Sequence, residues 1–124
     1  MPSVFRFDEL PRSHSTRDGR LRYDLITEEM FGFADIKADH ITYNPGDTAA
    51  AHYHIGAKHF FFVDQGAGVL HIDDRRYELH KGDVAFVDER EAHWFENPSD
   101  DVFSFYELWV PTPGETVWVV DDDR

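Results

Sequence analysis

The sequence predicts a small all-β barrel. Strand-like segments are short, turn signals separate them at intervals of about 8 to 12 residues, and helical periodicity is nearly absent. With 124 residues, of which 41% are hydrophobic and 15% aromatic, the chain has material for one core and therefore for one domain.

In chain order, residues 1–20 contain the polar stretch DELPRSHSTRDGR and are expected to form an N-terminal arm or lead-in loop. The predicted strands are Leu21 to Leu25, Phe33 to Tyr43, Ala50 to His54, His59 to Gln65, Val69 to Ile72, Arg76 to Leu79, Val84 to Val87, His93 to Glu96, Val102 to Trp109 and Thr116 to Val120. Between them lie Asn44-Pro45-Gly46-Asp47, Gln65-Gly66-Ala67-Gly68, Asp73-Asp74, Lys81-Gly82-Asp83 and Asn97-Pro98-Ser99-Asp100, all rich in residues that accept turn geometry. So many strands in residues 21–120 suggest a closed barrel, and residues 121–124 read as a solvated acidic tail.

Composition narrows the function. Twenty-five acidic residues against twelve basic ones give a formal charge of -13, a field that repels nucleic acid and anionic membrane surfaces. No apolar run approaches a bilayer span and no signal peptide opens the chain, so the expected location is the cytoplasm. Cysteine is absent, which excludes disulfides, thiolate metal sites and a cysteine nucleophile and leaves nitrogen and oxygen donors for any metal. Phosphate-binding glycine loops and serine nucleophile elbows are missing as well.

Three of the eight histidines, His52, His54 and His59, fall within AHYHIGAKHF. In a strand, residues two apart share a face, so His52 and His54 form a two-pronged clamp while Tyr53 points away. The turn Ile55-Gly56-Ala57-Lys58 brings His59 back within coordination reach, and His93 follows downstream. An isolated His-x-His pair is common in ordinary proteins, so the case for a metal rests on the larger pattern.

That pattern resembles the cupin superfamily. The first cupin motif, G-x5-H-x-H-x3,4-E-x6-G, is met by Gly46, His52, His54 and Gly66, with His59 at the glutamate position. The second, G-x5-P-x-G-x2-H-x3-N, is met by Gly82, His93 and Asn97, with Asp88 and Arg90 replacing the proline and the glycine. The resemblance implies a double-stranded β-helix, a jelly-roll barrel. It also implies that His52, His54, His59 and His93 hold one divalent transition metal inside it: iron, zinc, nickel, manganese or copper.

Four neutral imidazoles leave the ion its full double charge, which favours an anionic oxygen donor such as an enolate, phenolate or carboxylate. Glu107, Tyr106 and Gln65 are the candidates to take the second ring protons of the ligands and to assist catalysis. Phe61 and Phe95 are the expected pocket liners, since they share strand parity with His59 and His93. The leading expectation is a dioxygenase acting on a small oxygen-chelating substrate, a β-dicarbonyl or a hydroxylated aromatic. The alternatives are a non-redox cyclase or isomerase using zinc or nickel and a non-catalytic small-ligand-binding cupin. Phe5, Phe7, Tyr23 and Trp118 suggest a homodimer.

Overall fold

The computed structural model describes residues 3–14 and 20–119. Its eleven strands are β1 (Arg12–His14), β2 (Leu21–Ile26), β3 (Lys37–Tyr43), β4 (His52–Ile55), β5 (Lys58–Gln65), β6 (Ala67–Ile72), β7 (Arg75–His80), β8 (Val84–Val87), β9 (His93–Glu96), β10 (Phe103–Val110) and β11 (Glu115–Trp118). They form a six-stranded sheet in the order β1-β2-β3-β10-β5-β8 and a five-stranded sheet in the order β11-β4-β9-β6-β7. All the strand pairs are antiparallel, and the two sheets close over one core as a double-stranded β-helix.

Turn chemistry delimits the strands, with several ends shifted by one or two residues, the turn expected over Gln65 to Gly68 narrowed to Gly66, and two larger differences from the sequence expectation. The polar segment expected to be an arm contributes β1, whose Arg12, Ser13 and His14 pair with Tyr23, Arg22 and Leu21. A ladder needs only backbone groups, so three polar residues on an edge strand suffice without any apolar alternation. The long strand expected from Phe33 begins only at Lys37, because a four-residue helix, α1 (Glu28–Phe31), precedes it. Thr27 caps α1 by accepting the Met30 amide at 3.2 Å, and Gly32 closes it in the left-handed conformation. The acidic tail, residues 121–124, and the end of the last predicted strand at Val120 lie outside the described residues.

Inward-facing residues are graded along the strands. β10 supplies Phe103 and Phe105 to the core and then Glu107 and Trp109 to the barrel mouth. β3 runs the same way, from Tyr43 and Ile41 in the core to Asp39 and Lys37 at the mouth. The apolar end, with Tyr43, Phe61, Phe95, Phe103 and Phe105 packed ring on ring, holds most of the buried aromatic surface of the core. Truncating one such phenylalanine costs about 3 to 5 kcal/mol. Gly68 belongs to the same packing: a Cβ there would strike the Phe103 ring, so only glycine lets β6 approach β10 this closely.

The two histidine-bearing motifs are tied to each other at the apolar end. Asn97 donates from its side chain to the Tyr43 carbonyl at 3.1 Å and to the Asp101 carbonyl at 2.7 Å. Its own carbonyl accepts the Gly46 amide at 2.8 Å. This buried asparagine therefore fixes the start of the first motif against the end of the second.

Candidate metal centre

His52 and His54 project from β4 and His93 from β9, where His52 and His93 are direct cross-strand partners. Such partners stand on one face of a sheet, and their ring centroids are 4.4 Å apart. One ring nitrogen from each of His52, His54 and His93 lies within 4.8 Å of the others, a set that could hold a metal ion. His59 reaches the cluster from the opposite sheet, its ring 5.1 Å from His54 and 5.4 Å from His93.

The hydrogen bonds around the three clustered rings all fall on one side. Nδ1 of His52 faces the Ala50 carbonyl at 3.1 Å, Nδ1 of His93 faces the Glu91 carbonyl at 3.0 Å, and Nδ1 of His54 faces the Thr116 hydroxyl at 2.9 Å. A carbonyl only accepts, so Nδ1 carries the proton in His52 and His93, and their Nε2 lone pairs are free. Nε2 of His54 and of His93 is buried without any protein partner. Orphaned, lone-pair-bearing nitrogens converging inside a barrel fit a transition-metal ion of the kind imidazole binds.

Electrostatics keep these rings neutral. Burial lowers the pKa of all three, with further lowering from neighbouring histidines, to about 3 for His54 and well below the usual imidazole value for His93. His59 stacks on Trp109, with centroids 4.2 Å apart, and its Nε2 lies 3.2 Å from a Glu107 carboxylate oxygen. That distance suits an ion pair, although the ring N–H is not aligned for a good hydrogen bond. Glu107 in turn faces Asp39 across the β3–β10 register. Burial, reinforced by the facing Glu107, raises the Asp39 carboxyl well above the usual carboxylate range. For Glu107, burial is outweighed by His59, Asp39 and the charge of Arg20, which hold its pKa low.

Above the cluster opens a cavity of about 380 Å³, walled by His52, His54, Glu107, Asp39, Trp109 and Trp118. Below it, Phe61 and Phe95 wall a second cavity of about 30 Å³ that also touches His52, His59 and His93. Both phenylalanines are core residues, 1% and 4% exposed, so they form the floor under the imidazoles while the two tryptophans line the mouth. Of the three proposed assisting residues, the structure brings only Glu107 to the cluster. Tyr106 is on the outer face of β10 with its ring against His40, and Gln65 is exposed at the far end of β5. One residue along β10 reverses the face, which is why Tyr106 and Glu107 part company.

Sequence reasoning passed over Asp39 and Thr116. The signal for Asp39 was its parity with Ile41 and Tyr43, an acid in line with inward apolar residues. Thr116 gave no comparable signal, since its role depends on β11 pairing with β4.

Comparison with known proteins agrees with this architecture. The sequence profile of the cupin domain family matches residues 39–111, and the chain belongs to that family. Among curated proteins, an oxalate-binding protein of Thermotoga maritima is 31% identical over 61 residues, 49% of this chain and 50% of that protein, so the match spans half the relative's length. The tetracenomycin polyketide synthase protein TcmJ of Streptomyces glaucescens is 26% identical over 103 residues, covering 80% of this chain and 68% of that one. Among solved structures, the polyketide cyclase RemF from Streptomyces resistomycificus superimposes with a TM-score of 0.83 over 99% of this chain and 89% of its own. At 18% identity that likeness shows the shared fold alone. No helix among the described residues is long and apolar enough to cross a membrane.

Proposed function

We propose that this protein is a metal-dependent enzyme that converts a small, oxygen-chelating organic substrate by proton transfer, in the manner of a cyclase or isomerase. The observation that carries the reading is the trio His52, His54 and His93, with Nδ1 hydrogen-bonded outward in each and the nitrogens converging within 4.8 Å. His59 is the fourth donor, recruited from its contact with Glu107. A divalent ion held there supplies Lewis acidity to a bound oxygen donor.

The chain's own residues supply the rest. Trp109 and Trp118 wall the mouth and give it an apolar surface against which a flat substrate can pack. The carboxyl groups of Asp39 and Glu107, facing each other across β3 and β10 at the cavity wall, are placed to take up and return a proton. Cyclisation and isomerisation need such a relay, whereas oxygenation of a chelated substrate does not, and this favours proton-transfer chemistry over the dioxygenase expected first. The similarity to TcmJ, a polyketide synthase protein, is in keeping with an oxygen-rich, chelating substrate.

The test begins with elemental mass spectrometry of tag-free protein beside His93→Ala and His59→Ala. Near-stoichiometric metal is expected, lost in His93→Ala and weakened in His59→Ala. β-Dicarbonyl and dihydroxy-aromatic compounds are then incubated without oxygen. Products of unchanged mass, or dehydrated ones, support the reading; turnover only with oxygen uptake would return the assignment to a dioxygenase. Absence of metal after reconstitution would leave a ligand-binding cupin.

A further inference from the structure

The chain has only twelve basic residues and a net charge of -13, yet Arg20, Arg22 and Lys37 all line the mouth cavity. Their placement follows from strand register. Arg22 pairs with Ile41, and Lys37 pairs with Trp109, so both stand on the face that carries Asp39 and Glu107. Arg20, two residues before Arg22, has its guanidinium 5.9 Å from the Tyr43 ring centroid. Each cation is also positioned by a neighbour: the Lys37 ammonium is 5.1 Å from the Trp109 ring centroid, and the Arg22 Nε is 3.3 Å from an Asp24 carboxylate oxygen. Their charges reach the site, since Arg20 bears on His52 and Glu107, and Lys37 on His54 and Asp39.

From this placement we infer that the mouth is a carboxylate-binding subsite. The substrate is an organic acid whose chelating oxygens face the histidines and whose carboxylate, at the other end of the molecule, is held by Arg22 and Lys37 with Arg20 beside them. A 380 Å³ cavity lies within the usual range for a small-molecule site, about 300 to 1,000 Å³. A narrow cleft with low-dielectric walls focuses the field of those cations although the protein as a whole is acidic. Guanidinium groups offer the paired donors that a carboxylate accepts. Asp24 engages the Nε of Arg22, so the Nη groups of that guanidinium still face the cavity, and Asp39 and Glu107, facing each other in a buried position, do not both ionise. The chelated end of this substrate rests on the metal reading above; the carboxylate end does not.

The test compares ligands with and without a carboxylate, including one near-isosteric pair. Calorimetric titrations with catechol and with 3,4-dihydroxybenzoate are made on the metal-loaded protein, alongside benzoate and benzamide. The dihydroxybenzoate is expected to bind about tenfold tighter than catechol, the value of one charge-assisted hydrogen bond. In Arg22→Gln/Lys37→Gln the preference should vanish and the two should bind alike, while Arg75→Gln/Arg76→Gln on the other sheet keeps the preference. Equal affinity in the wild type, or a preference that survives Arg22→Gln/Lys37→Gln, overturns the subsite. If catechol fails to bind while benzoate is still preferred over benzamide, the metal reading falls and the carboxylate subsite stands. No binding of either acid overturns the subsite.

Discussion

Replacing Thr116 by valine tests whether the hydrogen bond behind a histidine matters to metal binding. Thr116 sits opposite His54 on β11, and its hydroxyl is 2.9 Å from Nδ1 of that ring. Valine keeps the shape and removes the oxygen. Loss of such an outer partner weakens metal affinity by about 10- to 100-fold. Because Thr116 is exposed, water can take the hydroxyl's place, which argues for the lower end, about tenfold or 1.4 kcal/mol. A stability assay reads this directly. With 124 residues and about 2.1 cal/mol/K per residue, the entropy of unfolding near Tm is about 0.26 kcal/mol/K. Free zinc at 100 times the wild-type Kd stabilises by about 2.7 kcal/mol, or about 10 °C in Tm over the EDTA-stripped protein. At the same free zinc the Thr116→Val protein should gain only about 1.4 kcal/mol, or about 5 °C. Thr116→Ser, which restores the hydroxyl, should recover most of the difference. An undiminished zinc-dependent rise in Thr116→Val would refute the claim that this hydrogen bond orients His54.

Three further outcomes are expected. The raised pKa of Asp39 means that its contribution to stability is full below the unfolded carboxyl value and is lost as pH rises through the folded one. Asp39→Asn, which copies the protonated form, should therefore raise Tm at pH 8 and leave it unchanged near pH 3; equal effects at both would contradict the assignment. Arg90 holds a left-handed φ of 67° where the cupin motif has glycine. Arg90→Gly should relieve about 1 to 2 kcal/mol of strain, partly offset by glycine's greater freedom when unfolded, for a net gain of about 0.5 to 1 kcal/mol in chemical denaturation. A homodimer is expected from the aromatic residues left exposed on the outer surface, Phe62, Phe86 and Tyr106 among them, and sedimentation at micromolar concentration should give twice the 14.5 kDa chain mass. A monomer would count against it.

What the sequence disclosed and what it withheld divide along a physical line. Features carried by the chain's own local geometry were legible: turn residues bounded the strands, and Val84–Val87 and His93–Glu96 emerged with the limits read from sequence. The imidazole cluster was legible too, because period-two alternation puts His52 and His54 on one face and motif spacing brings His93 to them. Features that depend on which strand lies beside which were not. Glu107 and Tyr106 are neighbours in sequence, and only the pairing of Glu107 with Asp39 and Phe61 decides which of them enters the barrel. The basic trio was hidden for the same reason. Arg20 comes from the polar lead-in, Arg22 from the strand predicted over Leu21 to Leu25 and Lys37 from the strand predicted over Phe33 to Tyr43. They become one surface only when β2 and β3 align beside β10. The imidazole half of the candidate site is written in a motif, whereas the half that would select among substrates is assembled by strand order. A shared fold therefore does not specify the ligand, and the cations of β2 and β3 are where the proposed preference for an acid has to be tested.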